Sequence, residues 1–274
     1  MPELPEVETV KCALSNCLPG RQFVKAETFI PVMRYPLEVL HTPELLHTPI
    51  AEVRRRARYL ILELANRLAL VMHLGMSGVI RVEPYEVPRR KHEHVILKLD
   101  DGMAFRFECT RRFSSIRLCT LPQPGAEPEL LAGLGPEPLT DVFSGDYFYR
   151  MTRHKSGCIK NVLMDNAVVV GIGNIYAAET LFDAGISPLR PAGALSREEC
   201  ERLVASAKTT LHKAIAAGGS TIADYRHVDG SEGKFAQQLM VYGRRNQPCR
   251  RCGAAIRQER LGGRSSCFCP ECQH

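Results

Sequence analysis

The chain has 274 residues, a formal net charge of +6, 45% hydrophobic residues and 24% charged residues. These values are typical of a soluble globular protein with one large domain or two smaller ones. No apolar run approaches the roughly 18 residues of a membrane span, and the acidic N-terminus has none of the features of a secretion signal. We therefore expect a cytoplasmic protein without a membrane partner, whose eleven cysteines are reduced thiols or metal ligands.

The chain begins with the segment MPELPEVETV. Pro5 is acceptable in the first turn of a helix, and apolar residues recur at helical spacing, so we expect a helix from about Pro5 to Leu18. That helix does not explain the first three residues. If Met1 is removed, Pro2 becomes a secondary amine one residue away from the Glu3 carboxylate, and such an amine can act as a nucleophile.

The chain after this helix contains strand-like runs rich in β-branched and aromatic residues, which predict an antiparallel sandwich or barrel. Asp101–Gly102 predicts a hairpin turn between two of the strands. Phe105 and Phe107 alternate with Arg106 and Glu108, so we expect the phenylalanines on a buried face and the charged residues in solvent. The runs are RQFVKAETF, IAEVRRRARYLILEL, RLALVMHLGMSGVIRV, HVILKLD, MAFRFEC and SIRLCT.

After a proline-rich connection the sequence pattern becomes helical. Ser196 and Glu199 form a capping box ahead of a long apolar stripe, and Gly218–Gly219 ends that helix. The segment HVDGSEGKF is rich in turn residues, and we expect it to be mobile. Strands followed by helices predict the α+β fold class. The shorter predicted helices cover residues 141–152, 158–165 and 174–184.

The strongest local signal is a pair of C-x2-C knuckles, CRRC and CPEC, separated by sixteen residues. Two knuckles at this spacing predict a tetrahedral zinc site formed by four thiolates. Such a site has no open coordination position, so we expect one structural zinc ion that holds a hairpin too short to fold alone. Cys267 is an extra thiol nearby. The expected ligands are Cys249, Cys252, Cys269 and Cys272.

Positive charge is concentrated at the same end of the chain. From Gly243 to His274 there are seven arginines, two glutamates and no lysine, and this cluster fits phosphate recognition. The RRF segment at 111–113 places an arginine pair beside an aromatic residue, which can enter a base stack, although a lone RRF is more often surface. His92 and His94 fall on one strand face, either as binding residues or as solvated histidines.

Together these motifs resemble the bacterial formamidopyrimidine-DNA glycosylases. The resemblance covers essentially the whole chain. The MPELPE start with HLGMSG and RRF resembles the branch that acts on oxidised purines, whereas the related endonuclease VIII branch typically begins PEGPE. The motifs occur in the family's order, as MPELPEVET, HLGMSG, RRF, LGPEPL, LMDN, VGIGNIYAAE, DGSEGKF, VYGR and the two knuckles.

The resemblance implies a three-part fold and a base-excision-repair activity. The protein would act as a monomer on double-stranded DNA that contains a damaged base or an abasic site. It would release oxidised purines, such as formamidopyrimidines and 8-oxoguanine, and nick the strand by β- and δ-elimination. The parts would be an N-terminal β-sandwich with a flanking helix (1–121), a linker (122–139), a helical domain with a helix–two-turn–helix motif (140–234) and a zinc finger (235–274).

The resemblance also implies roles for individual residues. After Met1 removal, Pro2 would attack C1′ of the damaged nucleotide, with Glu3 as the neighbouring acid or base. A free α-amine has a pKa of about 8, so a neutral fraction exists at pH 7. The other catalytic positions would be Arg58 and Arg264. The void left by the flipped base would be filled by Met76, Arg111 and Phe113. The contacts to DNA phosphates would come from His92, Arg111, Lys155, Lys160, Asn174 and Arg264.

The sequence departs from the family's pattern at three places. Arg58 in RRARYL stands where the family usually has lysine. The segment CTRRFS replaces DPRRFG, so Cys109, Thr110 and Ser114 stand in place of an aspartate, a proline and a glycine. Ser156 stands where a phosphate-binding lysine is common. These departures concern substrate preference and rate more than fold or reaction type.

Two other activities stay open at the level of sequence. One is the same chemistry on oxidised pyrimidines, as in the endonuclease VIII branch. The other is a non-catalytic reader of damaged or bent DNA, whose expected mark would be the loss of Pro2 or Glu3, and both residues are present. Duplexes that carry single lesions, incubated with and without borohydride, separate the three.

Overall fold

The structure is a computed structural model that describes residues 1–220 and 234–274. It contains two compact units, one formed by Met1–Ala132 with Gly218–Lys234 and the other by Gly133–Ala217 with Phe235–His274. The four domain ranges given above stay predictions. Apart from its last two residues, the segment HVDGSEGKF lies outside the described residues. The expectation that this segment is mobile therefore stays a prediction.

The first unit begins with the helix α1, Leu4–Ser15. The predicted helix extends to Leu18, but α1 ends earlier because Asn16 is its C-cap residue. The Leu18 N–H still donates to the Leu14 carbonyl at 2.9 Å, and the Leu18 side chain is fully buried. The apolar period therefore continues one turn beyond the regular helix.

Within the described residues, eight strands form two four-stranded antiparallel sheets in the first unit. They are β1 Phe23–Thr28, β2 Ile50–Arg56, β3 Tyr59–Leu64, β4 Leu68–His73, β5 Gly78–Pro84, β6 Glu93–Leu99, β7 Met103–Cys109 and β8 Ser115–Thr120. The strand orders are β1-β6-β7-β5 and β2-β3-β4-β8. Side chains from both sheets and from α1 share one apolar core, with members such as Leu14, Leu62, Met72, Leu97 and Phe105.

Two of the predicted strand runs each divide into two strands. The first divides at Ala57, whose φ of +54° lies in the left-handed region, and this turn separates β2 from β3. The second divides between β4 and β5, where the Gly78 N–H donates to the Leu74 carbonyl at 2.8 Å and closes a tight turn. The predicted turn at Asp101–Gly102 joins β6 to β7, as the antiparallel register between those strands requires.

Arg106 corrects the expectation that its face of β7 is exposed. Its side chain is 1% exposed, and its Nη1 lies 3.0 Å from Oε2 of Glu93, which is completely buried. Its Nη2 donates to the backbone carbonyls of Tyr85 and Val87 at 2.8 and 2.6 Å. The alternation along β7 does not predict this burial, because the connection between β5 and β6 folds over the outer face of the strand. Glu108 is half-buried rather than exposed.

The second unit is mainly helical. Its elements are α2 Gly145–Thr152, α3 Ile159–Leu163, α4 Asn174–Asp183, α5 Arg197–Ala216, β9 Arg257–Leu261 and β10 Arg264–Phe268. Two turns lie between α3 and α4, so the predicted helix–two-turn–helix motif is present, and β9 pairs with β10 as a hairpin. No helix in the two described ranges is both long and apolar enough to span a bilayer.

The ends of two helices follow from their caps. The predicted capping box before α5 is confirmed, because the Ser196 side chain accepts the Glu199 N–H and the Glu199 side chain accepts the Ser196 N–H. The helix α2 begins later than predicted, because the Ser144 hydroxyl accepts the Tyr147 N–H at 3.2 Å and makes Ser144 the N-cap residue.

Candidate functional site

The residues Pro2 and Glu3 are buried at the start of the first unit. Glu3 is 3% exposed, whereas Met1 is 53% exposed. Glu3 is also the N-cap residue of α1 and forms a capping box with Glu6, whose Oε2 accepts the Glu3 N–H at 2.8 Å. The helix therefore fixes Pro2 one residue before its N-cap. Removal of Met1 would leave a secondary amine beside a buried carboxyl group.

Glu6 joins this N-terminus to a distant segment of the same unit. Its Oε1 accepts the N–H and the hydroxyl of Ser220 at 2.7 and 3.0 Å. Gly219 has a φ of +78°, and a Cβ there would lie 2.9 Å from the same oxygen, so any larger residue would displace the carboxylate. Buried carboxylates are costly unless they are hydrogen-bonded, and both oxygens of Glu6 have donors.

Met76 and Phe113 lie on two turns whose backbones touch. Their side chains are 38% and 54% exposed, and a Cβ on Gly75 would lie 2.7 Å from the carbonyl carbon of Phe113. The Arg111 N–H donates to Oγ of Ser77 at 3.1 Å, and the Arg111 guanidinium carbon lies 5.5 Å from the centre of the Phe113 ring. The structure thus brings together the three residues predicted to fill a base void.

His92 and His94 have different environments. The His92 ring is half-buried immediately before β6, and its carbonyl accepts the Cys109 N–H at 2.9 Å. The His94 ring is 4% exposed, and its Nε2 lies 3.1 Å from the Cys109 carbonyl. Burial lowers the pKa of His94. His92 therefore stays a candidate for phosphate binding, whereas His94 is a core histidine.

Arg58 lies in the turn between β2 and β3, where its positive charge acts on His73. Burial, and then the charges of Arg58 and Arg34, lower the pKa of His73 to about 4. The Nδ1 of His73 accepts the Gly75 N–H at 3.0 Å, which requires the neutral ring. A neutral histidine therefore holds the start of the turn that carries Met76.

Lys160 and Asn174 lie together in the second unit. The Lys160 side chain is 1% exposed, and its Nζ donates to Oδ1 of Asn174 at 2.5 Å and to Oγ of Ser266 at 2.6 Å. Both side chains also donate to the Ser265 carbonyl, at 3.2 and 3.1 Å. These two predicted phosphate-binding residues therefore tie α3 and α4 to the β9–β10 hairpin.

Lys155 and Arg264 are more accessible positions of the second unit. Arg264 is exposed at the start of β10, directly after the two glycines of the β9–β10 turn, which both have positive φ. The Lys155 side chain is 36% exposed, and its Nζ lies 3.4 Å from Oδ2 of Asp165. Such a surface ion pair contributes at most about 1 kcal/mol, so Lys155 can exchange this carboxylate for another anion.

The four cysteines of the two knuckles converge. Their sulfur atoms all lie within 4.8 Å of one another, with Sγ–Sγ distances of 3.5 Å for Cys252–Cys269 and 4.0 Å for Cys249–Cys272. Four thiolates bound to zinc at about 2.3 Å lie roughly 3.8 Å apart, so the four residues fit one zinc ion. Cys267 lies on β10 and is not part of this cluster. With four protein ligands the ion is structural.

Three buried residues of these regions were not singled out from the sequence: Glu6, Glu179 and Ser220. Glu179 on α4 is 5% exposed and accepts the N–H groups of residues 240, 241 and 242 at 2.8–3.0 Å. A lone glutamate within the apolar run NIYAAETLF was its signal, and the E-x-x-E spacing was the signal for Glu6. Ser220 has no local signal, because its partner Glu6 is 214 positions away.

Three family models match the chain in sequence order. They are the formamidopyrimidine-DNA glycosylase N-terminal domain over residues 1–116, the formamidopyrimidine-DNA glycosylase H2TH domain over 134–226 and the zinc finger found in FPG and IleRS over 246–274. The chain is 48% identical over 274 residues to a formamidopyrimidine-DNA glycosylase of Stenotrophomonas maltophilia strain K279a. It is 46% identical over 273 residues to that of Laribacter hongkongensis. Both alignments cover 100% of each chain.

The chain is also similar over its full length to solved structures of formamidopyrimidine-DNA glycosylases. A point mutant of Lactococcus lactis FPG in complex with a Fapy-dG containing DNA has a TM-score of 0.91 and 35% identity, with 100% of both chains covered. The complex between Lactococcus lactis Fpg and an abasic site containing DNA has a TM-score of 0.90 and 35% identity over 99% of both chains. MutM in complex with carbocyclic 8-oxo-G containing DNA has a TM-score of 0.90 and 36% identity over 100% of both chains.

The two-sheet unit, the H2TH motif and the four-cysteine finger on one chain define the class of zinc-finger DNA glycosylases. The chain belongs to the formamidopyrimidine-DNA glycosylase family.

Substitution of single cysteines provides a test of the four-cysteine zinc site. We expect one zinc ion per chain by elemental analysis, and Cys252→Ser should lose it together with the order of the β9–β10 hairpin, because metal binding supplies folding free energy in such small domains. The matched control is Cys267→Ser, which removes a neighbouring buried thiol and should retain the ion. Zinc at full occupancy in Cys252→Ser would contradict the assignment.

The neutral His73 predicts how stability depends on pH. Between pH 6.5 and about 4 the unfolded chain binds a proton at His73 that the folded chain does not bind, so stability is fully present above pH 6.5 and falls as the pH drops. The loss is up to about 3 kcal/mol. In urea unfolding followed by signals from the first unit, the free energy of unfolding of His73→Gln should fall less between pH 6.5 and 4.5 than that of wild type. The exposed-residue control His41→Gln should behave as wild type, and an unchanged pH dependence in His73→Gln would contradict this account.

Proposed function

We propose that this chain excises oxidised purines, formamidopyrimidines and 8-oxoguanine, from double-stranded DNA and then cleaves the strand at the resulting abasic site. Family membership over the full length supports a base-excision-repair glycosylase. The substrate classes are supported by solved relatives, which are complexes with DNA containing Fapy-dG, an abasic site or carbocyclic 8-oxo-G. The bacterial sources of the relatives support action in the bacterial cytosol, at the nucleoid, and we propose that the protein acts there as a monomer.

The observation that carries the proposal is the buried Pro2–Glu3 terminus. After Met1 is removed, the Pro2 nitrogen attacks C1′ of the damaged nucleotide, and the base leaves with the electron pair of the glycosidic bond. The Pro2 nitrogen loses its proton, the C1′–O4′ bond of the sugar ring breaks and O4′ takes up a proton, so that a covalent Schiff base (an iminium) results, with Glu3 as the acid or base beside it. The iminium makes the C2′ proton acidic, so loss of that proton expels the 3′ phosphate by breaking the C3′–O bond, and a second elimination expels the 5′ phosphate by breaking the C5′–O bond.

The remaining site residues bind and shape the DNA in this proposal. Met76, Arg111 and Phe113 enter the void that the flipped base leaves, since two are exposed apolar side chains beside a guanidinium. The zinc ion supplies folding energy and takes no part in the chemistry. The phosphate contacts come from His92, Arg111, Lys155, Lys160, Asn174 and Arg264.

The covalent intermediate tests the proposal directly. Borohydride should trap the wild-type protein on a duplex that contains an abasic site, and Pro2→Gly or a chain that retains Met1 should form at least tenfold less adduct, because the secondary amine is the nucleophile. Pro5→Ala serves as the control, since it changes a buried proline of the same terminus and should still form the adduct. Peptide mapping that places the adduct on a lysine would sink the assignment.

Arg58 bears on the balance between substrates. Lysine can release a proton when its pKa is depressed, whereas arginine effectively cannot. We propose that Arg58 supplies positive charge near the base but slows 8-oxoguanine excision relative to formamidopyrimidines, while cleavage at abasic sites depends on Pro2 and Glu3 and proceeds normally.

Single-turnover kinetics of wild type and Arg58→Lys on both lesions and on an abasic site provide the measurement. Arg58→Lys should speed 8-oxoguanine excision severalfold and leave abasic-site cleavage within about twofold. If 8-oxoguanine excision is unchanged or slower, Arg58 is a working substitute for the lysine and the proposal about it is wrong.

A further inference from the structure

Ser114 is fully buried between the two turns that carry Met76 and Phe113. Its hydroxyl donates to the Leu74 carbonyl at 2.7 Å. The same carbonyl accepts the Gly78 N–H at 2.8 Å, which is the bond that closes the Met76 turn. One hydroxyl, on the residue directly after Phe113, therefore reaches the closing bond of the other turn.

Cys109 extends this connection into the sheet. Its side chain is fully buried, and its Sγ lies 2.9 Å from Oγ of Ser114. A hydroxyl has one hydrogen, here directed at the Leu74 carbonyl, and two lone pairs, so the thiol can donate its own hydrogen to Oγ. Cys109 is also the last residue of β7 and pairs with Gly78 of β5. The Cys109–Ser114–Leu74 chain thus links both turns to the end of one strand pair.

The neighbouring contacts leave the two turns little independent freedom. A Cβ on Gly75 would lie 2.7 Å from the Ser114 nitrogen, and the Arg111 N–H is bonded to Ser77. Arg112 has a φ of +55°, a conformation that a non-glycine residue keeps only where its surroundings determine it. Ser114 is the buried side chain that bridges the turns from within.

We propose that Ser114 is a positioning residue that holds Met76 and Phe113 at a fixed separation, so that both side chains enter the base stack as one rigid unit. The assignment rests on the proposed function, because it concerns how the enzyme enters duplex DNA. It is a property of this chain's own residues, since CTRRFS places a thiol and a hydroxyl at the two positions that form the link.

The substitution Ser114→Ala tests this role, because it removes the hydroxyl and keeps the rest of the side chain. The matched control is Ser15→Ala, which removes a hydroxyl that donates to the Val53 carbonyl at 3.3 Å, in the same unit but at the end of α1. The two measurements are strand cleavage at an abasic site in a duplex and in a single strand, and the fluorescence of 2-aminopurine beside the duplex site during mixing.

Ser114→Ala should slow duplex cleavage and 2-aminopurine unstacking about fivefold to tenfold, as expected for loss of one buried hydrogen bond during insertion. Cleavage of the single strand should stay within about twofold, because a single strand has no base stack to enter. Ser15→Ala should leave all three rates unchanged. A merely structural role would instead lower the rates on both substrates together.

A double-mutant cycle keeps the proposal testable if Ser114→Ala is also less stable. Met76→Ala and Met76→Ala/Ser114→Ala should insert at the same rate, because Ser114 acts through the turn that carries Met76. Ser114→Gly provides a second variant without the hydroxyl and should match Ser114→Ala. Additive effects, or an unchanged ratio of duplex to single-strand cleavage in an active Ser114→Ala, would overturn the inference alone. A wild-type protein that cleaves neither substrate would overturn the proposed function as well.

Discussion

The buried carboxylate of Glu6 fixes where the N-terminus of the chain lies. Chain ends are usually poorly ordered unless something holds them, and a reactive group at an end needs defined geometry. Glu6 provides that restraint, because it accepts hydrogen bonds from Glu3 on one side and from Ser220 on the other. The arrangement also explains why Gly219 has no side chain, since a Cβ would meet the same carboxylate.

The strand β7 has a similar organising role for the loops of the first unit. Arg106 within it binds the carbonyls of the β5–β6 connection and the buried Glu93, and His92 is the last residue of that connection. Cys109 at its end meets Ser114 and, through its own N–H, the carbonyl of His92. Removing one partner of a buried ion pair such as Arg106–Glu93 typically costs about 3–5 kcal/mol. The strand β7 therefore strongly fixes both the β5–β6 connection and the loop that contains Ser114.

Local signals in the sequence predict much of this structure. The two knuckles identify the zinc ligands because cysteine spacing reflects the metal's geometry directly, and the Ser196–Glu199 spacing identifies the start of α5 because a capping box involves only neighbours in sequence. The burial of Arg106 is not predictable in this way. It depends on a loop folding over a strand face that alternation alone assigns to solvent.

Long-range partners set the other limit of prediction. The sequence indicates Lys160 and Asn174 as phosphate-binding residues by resemblance, but it gives no indication that both bond to the Ser265 carbonyl about a hundred residues away. Ser114 shows the same limit, because a serine after RRF has no pattern that points to Leu74. Only the folded chain brings these donors and acceptors together.

Glu179 helps to connect the four-cysteine site to the helix α4, which supplies none of the four ligands. Its carboxylate holds the backbone of residues 240–242 against α4, and side chains of α4 share an apolar cluster with Cys249 and Cys269. The helical core therefore supplies part of the free energy that is needed to bring the four thiolates together. Natural substitutions in α4 that contact no cysteine should therefore change how tightly the protein retains zinc. Variation in zinc affinity should be sought in the helices as well as in the finger.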